Sequence, residues 1–397
     1  MPNPSDIDAV LALELQDRAQ QNLYRFRQPF DGAQGAIVQF HGKSYINFCS
    51  NDYLGLASHP KIAEAAQLGI QKFGVGSGAS HLVCGHHEQH QLLEEELAAL
   101  TGRESALLFS TGFMANIGTI NALVDQQDSV FQDKLNHASL LDGGLHSGAN
   151  FRRFPHKNYS RLQQLLEKSQ SRRNLVVSDA VFSMDGDECD AKQLANLCQS
   201  KAWLMLDDAH GFGVFGKNGA GFAEQQNLTQ QQLPILMATF GKALGTCGAF
   251  VAGSKQLTET LIQHARSYIY TTAMPAAMAM ATRQSLNILQ QEPERREHLK
   301  QLIAFFQKNC VQLGLPVMQS NTAIQPLVVG DETSCLQISQ SLKESGLMVV
   351  AIRPPTVPKG TSRLRVTLTA QHQLSQVEQL LERLHHEFSK RKRLITI

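Results

Sequence analysis

The sequence predicts an α/β protein, a mostly parallel, doubly wound sheet followed by a smaller α+β domain, and three observations carry that prediction. Short apolar runs of strand length recur along the first 285 residues, mostly without the alternation of a half-exposed sheet. Amphipathic helical patterns separate them. After about residue 285 the charged stretch QQEPERREH opens a different texture of longer helices and alternating strands.

Composition narrows the function before any motif is read. The 397 residues hold 36 Lys+Arg against 35 Asp+Glu, and a net charge of +1 gives no hint of a nucleic-acid or membrane partner. With 42% hydrophobic and 18% charged residues there is material for a large core, which excludes disorder. Seven scattered cysteines without a C-x-x-C pair argue against a disulfide framework and a zinc site, and fit a reducing cytoplasm. The opening MPNPSDIDAV has neither the basic nor the apolar region of a signal peptide, and no run approaches the ~18 apolar residues of a membrane span.

Taken in order, residues 1–48 read as an N-terminal arm, 49–285 as the large domain and 286–397 as the small one. Strands are expected at 106–109, 130–131, 175–177, 203–206, 235–239 and 249–252. Leu92, Leu93, Leu97 and Leu100 make one stripe of a helix that Gly102 stops. In the small domain TSRLRVTLTA alternates, placing Leu364, Val366 and Leu368 on one face and Arg363, Arg365, Thr367 and Thr369 on the other. The last segment repeats Leu374, Val377, Leu380, Leu381, Leu384 and Phe388 at helical spacing and ends in the basic run SKRKRL, a solvated helix end.

Three glycine-rich stretches invite a phosphate reading. Gly74–Ala79 follows a helix instead of a strand and does not open one, so it is no dinucleotide turn. Gly211–Gly216 continues into Lys217, but Asn218 stands where a phosphate loop needs Ser or Thr. The turn Phe109–Asn116 has the right context, a strand SALLF before Gly112 and a helix after it, so its amides and helix dipole point at an anion. The segment HLVCGHHEQH lacks the spacing of a metal-binding helix, and its histidines read as surface or packing groups, with no metal expected.

Two strand ends carry chemistry. WLMLDDAHG runs from a buried strand into Asp207, Asp208 and His210, at the edge where such sheets bind ligands. TFGKALG places Thr239 and Lys242 just past another strand, where a desolvated lysine becomes an imine-forming amine. An anion turn, a strand-end carboxylate and a strand-end lysine in one sheet are what pyridoxal phosphate requires for its phosphate, its ring nitrogen and its aldehyde.

At these residues the chain resembles the α-oxoamine synthases, pyridoxal-phosphate enzymes of the aspartate aminotransferase fold type. The resemblance runs from about residue 20 to 388, on SNDYLGL (50–56), STGFMAN (110–116), NHASLLDG (136–143), VFSMDGD (181–187), DDAHG (207–211), TFGKALG (239–245) and AIRPPTVPKGTSRLR (351–365). It implies a fold type I enzyme with a seven-stranded sheet, assembled as a homodimer with shared active sites. It further implies that Lys242 forms the imine, Asp207 pairs with the ring nitrogen, His210 and Ser183 stand near the ring hydroxyl, and His137 stacks on the ring. The Gly112 and Phe113 amides and Thr239 would hold the phosphate, joined by Thr272 of a second subunit. Asn51 and Arg365 would hold a substrate carboxylate and Thr356 would touch substrate, as would Arg25, whose register competes with Arg27. Asp179 departs from the glutamate common in the family. Ala209 and IRPPTVP point to members that condense L-alanine with a pimeloyl thioester, on coenzyme A or an acyl carrier protein. Glycine C-acetyltransferase, or another acyl-CoA:amino acid synthase, is the alternative.

Overall fold

The computed structural model describes residue 3, residues 6–21 and residues 23–395, of the last four the backbone alone. Part of the basic run SKRKRL therefore lies outside the described side chains. By contacts the chain divides into a smaller unit, residues 1–50, 302–368 and 372–397, and a larger one, residues 51–301 and 369–371.

The smaller unit begins with helix Ile7–Gln20, which buries none of its residues, and a hairpin of β1 (Ile37–Phe40) and β2 (Lys43–Asn47). The larger unit holds β3 (Ser105–Phe109), β4 (Ser129–Asp133), β5 (Asn150–Phe154), β6 (Asn174–Asp179), β7 (Trp203–Asp207), β8 (Ile235–Thr239) and β9 (Ala249–Gly253) in one sheet of order β3-β9-β8-β7-β6-β4-β5. Only β9 runs against its neighbours. Returning to the smaller unit, β10 (Ile324–Gly330), β12 (Val350–Ile352) and β13 (Ser362–Thr367) form an antiparallel sheet of order β10-β13-β12, and β11 (Leu347–Met348) adds to β2 in parallel.

The continuous apolar runs are explained by two cores, one on each face of the large sheet. Val130, Leu175, Val177, Met205, Ile235 and Met237 enter one cluster with Ala115 and Ile120 of helix Gly112–Leu123. Their strand neighbours Phe131, Val176, Leu204, Leu206 and Leu236 enter the other with Leu162 and Leu194 of two further helices. Successive side chains point to opposite faces, so a strand covered on both must be apolar throughout. All six expected strands are present. The seventh, β5, escapes the pattern because it is an edge strand: Asn150, Arg152 and Arg153 are exposed and only Phe154 is buried.

Two expectations meet a different arrangement. Residues 1–50 group with the C-terminal residues, because β2 pairs with β11. The larger unit extends to residue 301, since helix Ala276–Gln291 packs on helix Pro60–Phe73, where Gly69 lets the backbone of Ala277 approach too closely for any side chain. In β13 the alternation holds, yet all six residues are buried, so the face with Arg363 and Arg365 is not a solvent face. The C-terminal helix Leu374–Ile395 buries Val377, Leu380, Leu381, Leu384 and Phe388 as its spacing predicts, whereas Leu374, at its first position, is exposed.

Candidate active site

The site is built at the C-terminal edge of the large sheet. In the β6–β7 register Asp179 lies opposite Asp207, which brings two buried carboxyl groups side by side. Asp207 Oδ1 accepts from the Ala209 amide at 2.9 Å and Oδ2 from Asn116 Nδ2 at 2.7 Å. The same Asn116 Nδ2 donates to Ser139 Oγ at 2.8 Å, and Ser139 Oγ lies 2.8 Å from His137 Nδ1. The Ser139 amide also donates to that nitrogen at 3.3 Å, so Nδ1 carries the lone pair and the ring proton sits on Nε2. Asp179 Oδ2 accepts the His137 backbone N–H at 2.6 Å, which closes a ring of contacts around the imidazole.

Electrostatics agree with a neutral His137. Burial pulls its pKa down, against the nearby Asp207 carboxylate and with the help of Lys242. For Asp179, burial and then the charge of Asp207 push the carboxyl well above the usual range.

Half-buried Lys242 follows β8, and its Nζ lies 3.0 Å from His210 Nε2. His210 Nδ1 is 2.5 Å from Tyr53 Oη, and Tyr53 Oη donates to Asn51 Oδ1 at 3.3 Å. The turn bearing Lys242 is closed by the Gly245 amide on the Lys242 carbonyl at 2.9 Å.

The anion turn has the expected form. Thr111 caps helix Gly112–Leu123 through Met114 N, and the Gly112 and Phe113 amides ahead of it meet no acceptor among the described residues. A Cβ at Gly112 would touch Thr239, so the turn and the end of β8 adjoin. Thr239 Oγ1 donates to the Gly248 carbonyl at 2.9 Å. Within the chain the Thr272 carbonyl accepts from Ser110 Oγ at 3.2 Å, so Thr272 flanks its own subunit's turn. Ser183 is half-buried in a turn closed by Gly186 N on the Phe182 carbonyl at 2.8 Å.

The remaining candidates lie in the smaller unit. Arg365 is buried in β13 and donates to Thr367 Oγ1 at 2.8 Å. Thr356 is exposed in a turn, its amide on the Arg353 carbonyl at 3.0 Å, and Arg25 and Arg27 are both exposed on the segment 23–30.

Other motifs resolve into structure. Asp208 Oδ2 accepts from Phe222 N at 2.6 Å and ties down the glycine loop 211–221, while its Oδ1 is buried without a partner among the described residues. The histidine segment forms a short π-helical turn, His81–Gly85, and its His81, His86 and His90 converge with their nearest ring nitrogens within 4.8 Å. Both nitrogens of His90 are committed, Nε2 to the Met274 carbonyl at 2.7 Å and Nδ1 to the His87 amide at 2.9 Å. The sequence alone assigns no role to Tyr53, Asn116 or Ser139. Helical spacing was the available signal for Asn116, one turn beyond Gly112 on the same end of the helix.

An amine, a buried carboxylate, a flat neutral imidazole and two unfilled amides on one sheet edge are a donor set that fits pyridoxal phosphate. This fold and site define a class, and the chain matches the model of aminotransferase class I and II over residues 43–384. It is 56% identical over 380 residues to the 8-amino-7-oxononanoate synthase of Cellvibrio japonicus, covering 96% of both chains. Among solved structures it resembles the 8-amino-7-oxononanoate synthase of Francisella tularensis (31% identity, TM-score 0.78, 88% of this chain and 99% of that one). It also resembles a structure of SPT with pyridoxal phosphate (28% identity, TM-score 0.90, 98% of each chain). The chain belongs to the aminotransferase class I and II family and, within it, to the 8-amino-7-oxononanoate synthases.

Proposed function

We propose that this enzyme condenses L-alanine with a pimeloyl thioester, releasing carbon dioxide and the free thiol and forming 8-amino-7-oxononanoate for biotin synthesis. The observation that carries the reading is Lys242 Nζ, 3.0 Å from His210 on the sheet edge that holds Asp207, in a chain 56% identical to a synthase of that name. Pyridoxal phosphate, when bound, supplies the electron sink for the pair left on the substrate α-carbon.

The chain's residues do the rest. Lys242 Nζ holds the cofactor and is the base that takes and returns the α-proton. Asp207, fixed by Asn116 and the Ala209 amide, keeps a proton on the ring nitrogen. His137 covers the ring as a flat neutral imidazole, and His210 and Ser183 serve the ring hydroxyl. Gly112, Phe113, Thr239 and Thr272 of a partner subunit hold the phosphate. Arg365 and Asn51 bind the alanine carboxylate, and Thr356 and Arg25 contact substrate. The scheme takes the enzyme as a homodimer in the cytoplasm. Its seven thiols are free, and among the described residues no helix is long and apolar enough to cross a membrane.

The test mixes purified protein and pyridoxal phosphate with alanine and pimeloyl-CoA or pimeloyl-acyl carrier protein, following thiol and carbon dioxide. Release of both with either donor is expected, together with a visible absorption band lost in Lys242→Ala. Turnover with glycine and acetyl-CoA but not with alanine and either pimeloyl donor would refute the assignment in favour of glycine C-acetyltransferase.

A further inference from the structure

Apart from the candidate site residues, His156 joins the turn that ends in His137 to the turn that carries Ser183. Its Nδ1 lies 3.0 Å from Asp133 Oδ1, at the end of β4, and its Nε2 lies 2.9 Å from Asp187 Oδ2. Carboxylates only accept, so both ring nitrogens donate and the ring is an imidazolium. Burial pulls its pKa down, but the hydrogen bonds and charges of Asp133 and Asp187 prevail and raise it to about 9.

Each carboxylate organises a segment of the site. Asp133 accepts the Leu135 and Lys157 amides, both at 2.8 Å, and so shapes the turn that ends in His137. Asp187 belongs to the turn carrying Ser183, where its carbonyl accepts Phe182 N at 2.9 Å and its carboxylate also takes Lys157 Nζ at 3.0 Å. The Phe182 ring stands edge-on to the imidazole, with centroids 4.4 Å apart. The other titratable groups facing this cluster are Glu188, Asp190 and Tyr159. Two acids and two bases form the centre, so loss of the imidazolium charge leaves Asp133, which is almost wholly buried, without its cation.

We propose that His156 is a positioning residue whose imidazolium clamps the turn before His137 to the turn bearing Ser183, setting where those two side chains meet the cofactor. The inference rests on the reading that His137 and Ser183 face pyridoxal phosphate.

The test measures the dissociation constant of pyridoxal phosphate by visible absorption from pH 6.5 to 10 for the wild type, His156→Gln and His156→Arg, with thermal unfolding of each apo form alongside. Arginine keeps the charge and two donors without titrating in this range, and a cleft of about 410 Å³ beside His156 gives it room. Wild-type affinity should hold near neutrality and weaken as the pH rises through about 9. His156→Gln should bind about tenfold more weakly at pH 7, the scale of one charge-assisted hydrogen bond, and lose that pH dependence. His156→Arg should recover affinity and stay flat through the alkaline range. Equal affinity and an unchanged alkaline limb in His156→Gln, or the same limb in His156→Arg, overturns the clamp. If the glutamine variant fails to fold, the arginine variant alone decides. A wild type that forms no Lys242-dependent band removes the underlying reading, a result distinct from a normal band with an indifferent His156.

Discussion

Asp207 and Asp208 show how one bond of chain separates chemistry from architecture. Neighbours on a strand point to opposite faces, so Asp207 joins Asn116 at the site while Asp208 turns back to the Phe222 amide. The doubled carboxylate in DDAHG is legible in the sequence as a site, but only the direction of each side chain tells which acid serves it. Burial drives Asp208 well above the ordinary carboxyl range, so its work is that of a neutral acceptor. Asp208→Ala should therefore cost about 1–3 kcal/mol by stranding the Phe222 N–H, and Asp208→Asn much less. Equal losses in the two variants by urea unfolding would show that the charge, not the acceptor, matters.

At the scale of elements, the turn after β8 depends on Gly245. Its φ of +64° suits glycine, and a Cβ there would strike the backbone of Leu56 and Ala57. Gly245→Ala should lower stability by about 1–2 kcal/mol or more and, because the Gly245 amide closes the Lys242 turn, also diminish the Lys242-dependent absorption band. Unchanged stability and spectrum would mean the turn tolerates a side chain. A second element contact ties helix Glu88–Thr101 to β3, where Glu94 Oε1 accepts the Leu108 N–H at 2.9 Å and burial raises the Glu94 carboxyl to about 8. A folded-state pKa above the unfolded value of 4.5 means that the chain must carry a proton in order to fold at neutral pH. Glu94→Gln should thus gain stability over the wild type as the pH rises from about 4.5 to 8 and show no gain below 4.5. An advantage independent of pH would contradict this.

For the whole molecule the pH dependence combines these groups. Glu94 and the His156 imidazolium both favour the protonated form in the fold, so the Glu94 contribution shrinks as the pH rises from about 4.5 to 8 and that of His156 from about 6.5 to 9. Buried thiols such as Cys198, raised to about 12, act with the same sign above about pH 9. In the other direction, burial lowers His81 to about 3 and His90 to about 4, and their neutral forms favour folding in full only above the unfolded value of 6.5. Between about 4.5 and 6.5 the two sets oppose each other. Denaturant midpoints should fall steadily from pH 6.5 to 9, and a midpoint that holds or rises over that interval would contradict the assignment.

What the sequence determined by itself was the sheet's buried strands and the residues at their ends, because apolar periodicity and strand-end polarity are local properties that any fold must satisfy. Lys242, Asp207, His210 and the Gly112 turn were readable for that reason, and the edge strand Asn150–Phe154 was not, since an edge leaves little apolar signal. Tertiary structure alone decided which distant groups meet. Strand register sets Asp179 beside Asp207, chain crossing brings Tyr53 to His210, and His156 reaches both Asp133 and Asp187. Such contacts span tens of residues along the chain, and no local propensity records them; they exist only once the packing of both faces of the sheet has fixed where each loop emerges.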